Sequence, residues 1–138
     1  MARSYAQLAA VVFAIVGVGG FITGDASHVV HGQAGGNFDG VALHFTVARN
    51  IIDLTLAGAF GYAGFYAVGD TATRIVLAAG AFLLLLAAVG FIVGDTPAGE
   101  RSIASLHFPL AMNVLDVVAG GLAVICALGT QESEAVRP

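Results

Sequence analysis

Arg49, Asn50 and Asp53 stand inside one long apolar stretch of this chain, and Asn113 and Asp116 stand inside another. Groups of this kind pair charges, carry protons or hold a polar ligand, and in hydrocarbon an unpaired charge costs several kcal/mol. On a helix turning 100° per residue, Asn50 and Asp53 are three apart and share a face, with Arg49 four before Asp53 and within reach of it. The second stretch has Met112 where the first has Arg49, so two carboxylates have one cation between them. Two arrangements answer to this. One is an Asp53–Arg49–Asp116 cluster; the other leaves Asp116 protonated and hydrogen-bonded to Asn113 or Asn50. Counted from the start of each apolar run, both carboxylates are expected roughly 13 to 20 Å in, near mid-membrane.

His44 and His107 occupy matched positions ahead of these groups, and two-fold symmetry would let them converge on a metal or a haem iron. The plainer role for both is a histidine at a helix end, bonded to a loop carbonyl. Asp25, His28 and His31 give a D-x-x-H-x-x-H spacing that suits a divalent metal if the segment turns helically. The alternative is a solvated loop. Walker-type loops, G-x-S-x-G elbows and Cys-x-x-Cys pairs are absent from the sequence, so no enzyme chemistry is indicated.

The elements that position these residues are membrane spans. Of the 138 residues 58% are hydrophobic and 10% charged, too apolar for an ordinary soluble domain. The net charge of −4 is spread over ends and loops, which speaks against a nucleic-acid surface. Cys126, the lone cysteine, lies in an apolar run and reads as a small buried hydrophobe. Tyr5 to Ile22 is a first span rather than a cleaved signal, and Asp25 to Gly40 is a Gly-rich loop in which Asp39 is placed to cap the next helix. The other spans run from Val41 to about Val68, Ile75 to Val93, and Ile103 to about Leu128. The tail, 130–138, is expected to be disordered.

The chain repeats itself. Leu43, His44, Phe45, Ala48, Asn50 and Asp53 return as Leu106, His107, Phe108, Ala111, Asn113 and Asp116, and Gly20-Phe21-Ile22 returns as Gly90-Phe91-Ile92. The expected fold is therefore all-α: one integral domain over 1–138, a four-helix transmembrane bundle of two tandem hairpins, at about 5–68 and 75–129. Two spans per half bring both halves in from the same side, which sets the pseudo-two-fold axis along the membrane normal. Arg3, Arg74 and Arg137 share a side against Arg101, so the positive-inside rule makes both termini cytoplasmic in the cell membrane. Gly58, Gly61, Gly64, Gly120 and Gly121 suit close helix contact.

With Asn50-Ile51-Ile52-Asp53 and Asn113-Val114-Leu115-Asp116 followed by Gly58 and Gly120, the chain resembles a bacterial four-helix membrane family catalogued as a domain of unknown function. That family carries an H-N-x-x-H-x-x-x-G motif in each second helix of two tandem hairpins. Arg49 and Met112 replace its first histidine, and Asp53 and Asp116 its second. The resemblance implies the fold and no activity. In shape alone the chain is also similar to small four-helix quinone-oxidoreductase-like membrane proteins.

The expected role is that of a small, non-enzymatic membrane protein, structural or accessory, in contact with the lipid bilayer and with a second copy or a larger membrane complex. Two alternatives stand beside it. One is b-type haem binding through His44 and His107, and the other is proton- or ion-coupled transport through Asp53 and Asp116.

Overall fold

The computed structural model describes residues 1–23, 46–93, 106, 108 and 110–135, with side chains as far as Gln131. Among these residues there are four helices: α1 (Ala2–Thr23), α2 (Val47–Gly61), α3 (Thr71–Val93) and α4 (Leu110–Ala135). A single π-helical turn, Tyr62–Tyr66, continues α2 and closes with Ala67 N donating to Tyr62 O at 2.9 Å.

The distribution of side chains is that of a membrane protein. Leu8, Ile15, Ile22, Leu85, Ile92 and Ile125 point outward, while the interior is built from Ala6, Ala9, Ala10, Ala63, Ala79, Ala123 and Ala127 around Phe60, with Asn50, Asp53 and Asp116 buried among the helices. Water would force the opposite arrangement. Lipid does not, because a tail is as apolar as leucine, and helices then associate through small residues and polar contacts. Ala2–Ile22, Thr71–Val93 and Leu110–Gln131 are each long and apolar enough to cross a bilayer. The α-helical part of α2 has 15 residues and carries Arg49 and Asp53.

Helix contacts follow the glycines. α1 packs chiefly on α2 and α3 chiefly on α4. A Cβ on Gly80 of α3 would come within 2.9 Å of Gly120 O of α4, and one on Gly17 of α1 within 2.8 Å of Leu54 on α2. Gly20 and Gly90 leave even less room: a side chain at Gly20 would collide with the Asn50 amide, and one at Gly90 with that of Asn113. Gly58 and Gly121, expected at such contacts, face open space instead.

At the opposite end the chain ties itself together. Ala2 N donates to Thr130 Oγ1 (2.9 Å), Arg3 Nη2 to Ala67 O (2.5 Å) and Gln7 Nε2 to Gly64 O (3.1 Å). The last two satisfy carbonyls that a helix terminus leaves without partners. α1 and α3 begin, and α2 and α4 finish, at this end. Gly69, with φ +59°, makes the turn between α2 and α3 in a conformation that only glycine adopts freely, and Asp70 pairs with Arg74 one helical turn on.

Several helix bounds differ from those expected. α2 starts at Val47, not Val41, because Thr46 is extended (φ −88°, ψ 157°) and caps the helix by accepting from Arg49 N at 3.2 Å. Thr46, rather than Asp39, is its N-cap; Asp39 itself lies outside the described residues. α4 starts at Leu110, not Ile103. Pro109 disfavours helical backbone at Phe108, the residue before it. At its far end α4 continues to Ala135, through residues assigned to the tail, since Gln131, Glu132, Glu134 and Ala135 favour helix and Thr130 is held by Ala2.

These contacts separate two kinds of glycine. Gly20→Ala and Gly90→Ala should each destabilise the protein by about 1–3 kcal/mol in a thermal or denaturant titration in detergent, as overpacking does. Gly58→Ala should be neutral or stabilising by up to about 1 kcal/mol, the helix-propensity gain.

Candidate functional site

α2 and α4 bring their polar residues together. Arg49 lies in the first turn of α2, and its guanidinium reaches across to α4, where Nη1 donates to Asp116 Oδ2 at 2.8 Å and Nη2 to Asp116 Oδ1 at 2.6 Å. This is the two-pronged geometry that a planar guanidinium makes with a carboxylate. The remaining donor on the same face, Nε, turns back to Asp53 four residues on, 3.4 Å from Oδ2 and 3.2 Å from Oδ1. Arg49 is 6% exposed, Asp53 0% and Asp116 1%, so the triad is shut away from its surroundings.

Of the two arrangements open from the sequence, this is the Asp53–Arg49–Asp116 cluster. Both Asp116 oxygens are taken by Arg49. The second arrangement, with Asp116 bonded to Asn113 or Asn50, is not the one these bonds make.

The two asparagines have another use. Asn113 Nδ2 donates to Phe108 O at 3.1 Å, which closes the entry to α4 where Pro109 can offer no N–H. Asn50 N donates to Thr46 O at 2.9 Å, the backbone bond that opens α2. Each amide then rests against a glycine of a neighbouring helix, Asn50 on Gly20 and Asn113 on Gly90. The Oδ1 atoms of Asn50 and Asn113 are buried and have no hydrogen-bond partner, and Asp53 Oδ1 has no hydrogen bond beyond its 3.2 Å ion-pair contact with Arg49 Nε.

The depth of the cluster differs from that expected. Asp53 and Asp116 each lie six residues past the first residue of their helix, or about 9 Å at 1.5 Å per residue. The late helix starts at Val47 and Leu110 move the carboxylates toward the loop side, away from the middle of the bundle.

The other candidate residues, Asp25, His28, His31, His44 and His107, lie outside the described residues, as do the metal and haem arrangements assigned to them. Three side chains of α1 not expected at a site hold the far end: Arg3, Gln7, and Tyr5, whose hydroxyl donates to Ala119 O of α4 at 2.6 Å. Tyr5 also meets Phe60 edge-on at 5.8 Å, and Phe60 stacks on Phe13 at 5.7 Å.

Comparison with protein-family models, with curated proteins and with solved structures finds nothing that matches this chain.

The unequal bonding of the two acids can be measured. Asp116 accepts two short charge-assisted bonds and Asp53 one long one, so Asp116→Asn should cost about 3 kcal/mol or more and Asp53→Asn about 1 kcal/mol or less. Equilibrium unfolding of both variants in one detergent checks the order; equal losses would contradict it.

Proposed function

We propose that this chain is a multi-pass protein of the cell membrane whose role is structural or accessory rather than enzymatic. Its unit is a pair of tandem helical hairpins, α1–α2 and α3–α4, related by a pseudo-two-fold axis along the membrane normal. Both termini are cytoplasmic. Support for the pairing comes from the repeated seats, Asn50 on Gly20 and Asn113 on Gly90, and from the bonds that gather the start of α1 and the end of α4 at one end. Arg3 and Arg74 at that end favour the cytoplasmic side.

The observation that carries the reading is how Arg49 is spent. Its guanidinium saturates Asp116 and turns its last inward donor to Asp53, with all three side chains buried. A charged group used this way fixes one helix against another and offers nothing to a passing substrate. Buried ion pairs of this kind contribute little net stability, and their attested use is to select one arrangement over its alternatives. A small bundle held in a single register is suited to present its outer face, rich in Leu, Ile and Val, to a second copy or to a larger membrane complex.

The test is reconstitution of the purified chain into liposomes loaded with a pH-sensitive dye. Under an imposed gradient, proton and sodium flux should match that of protein-free vesicles, with Asp53→Asn indistinguishable from the wild type. Flux well above that background, abolished in Asp53→Asn while the protein still folds, would overturn the structural reading in favour of transport.

A further inference from the structure

The charges of the triad do not balance. One guanidinium faces two carboxylates, which leaves a net charge of −1 on three side chains that are each at most 6% exposed. A buried charge without a partner costs several kcal/mol in protein and more in lipid, so something must neutralise it. The hydrogen bonds say where. Asp116 has both oxygens occupied by Arg49. Asp53 is wholly buried and shares a single Arg49 donor, Nε, whose hydrogen bond goes to Oδ2, so that Oδ1 has an ion-pair contact at 3.2 Å but no hydrogen bond.

We propose that Asp53 is a binding site for a single proton, carried on Oδ1, while Asp116 remains the permanent counter-ion of Arg49. The proton comes from bulk water and forms an O–H bond at Oδ1; the triad becomes neutral, and no other bond is made or broken. A protonated Oδ1 is also a donor, and a buried acceptor stands nearby in sequence: Asn50 is three residues earlier on the same face of α2, and its Oδ1 lacks a partner. One proton thus neutralises the excess charge. A metal ion fits the place poorly, because it would sit beside the Arg49 guanidinium, whose Nε is 3.2 Å from this oxygen.

Among the described residues, the charged groups facing Asp53 are Arg49 on its own helix and Asp116 on α4. Among the described residues, α1 and α3 bring Gly20 and Gly90 to the neighbouring asparagines. Their charged residues, Arg3 and Arg74, are engaged at the other end with Ala67 O and Asp70.

The test uses the full chain in lipid bilayers with carbon-13 in its aspartate carboxyls, the signals of residues 53 and 116 being assigned by Asp53→Asn and Asp116→Asn. At pH 7 the Asp53 carboxyl carbon should resonate as a neutral acid and that of Asp116 as a carboxylate, with the same spectrum in sodium and in choline chloride. Both ionised, Asp116 neutral, or an Asp53 that turns neutral only when sodium is withdrawn would each overturn the proposal; the last would assign the site to an alkali cation. A second readout is the infrared absorption of protonated carboxyls in Arg49→Met, which gives α2 the residue that α4 carries at Met112. Without the cation both acids must be neutral, so the band should roughly double, and an unchanged band would count against the proposal. Should that variant fail to fold, the carbon spectrum of the wild type decides alone. The proton rests on the same triad as the structural reading, yet the unfolding of Asp116→Asn tests the clamp and the carbon shift tests the proton, so either can fail separately.

Discussion

A guanidinium buried between two carboxylates constrains everything around it. Arg49 can leave water only if Asp116 meets it squarely, and that requires the first turn of α2 to face the second turn of α4 across the span of the arginine side chain. The local structure serves this requirement at each step. Thr46, itself extended, caps α2 so that Arg49 falls in its first turn. Pro109 delays α4 until Leu110, which sets Asp116 at the same distance from its helix start as Asp53. Gly20 and Gly90 give up their side chains so that the adjacent asparagines can be buried as well.

The rest of the bundle supplies proximity rather than hydrophobic drive. In lipid, burying a leucine gains little, so a core of alanine and glycine, such as Gly80 against Gly120 and Ala123, stabilises by letting backbones approach and dispersion forces act. The far end is fixed by polar bonds to helix carbonyls from Arg3, Tyr5 and Gln7, all on the first two turns of α1. Polar ties at the two ends with small residues between them give the bundle one register.

Much of this was legible in the sequence. Three of the four expected spans are helices long and apolar enough to cross a membrane, as composition indicated, and the recurrence of Asn50 and Asp53 as Asn113 and Asp116, with a single arginine among them, narrowed the polar seam to two arrangements. What could not be read was which acid the arginine would saturate, since that depends on the height of α4 relative to α2. Helix starts were misjudged because apolar residues before Thr46 and Pro109 continue the hydropathy of the spans, whereas the extended backbone of Thr46 and the proline after Phe108 set the start of each helix. Hydropathy sees side chains; the cap and the proline act on the main chain. The tail was misjudged for the converse reason, as polar residues past Thr130 leave the hydrophobic pattern but keep a strong helix preference.

The central claim is that the Arg49–Asp116 pair locks α2 to α4, and a double-mutant cycle measures it directly. Unfolding free energies of the wild type, Arg49→Met, Asp116→Leu and the double variant give the coupling between the two side chains. The account predicts a coupling of about 2–3 kcal/mol, with the double variant far less damaged than the sum of the single ones. Additivity to within about 0.5 kcal/mol would mean that the two residues do not act on each other, and would contradict it.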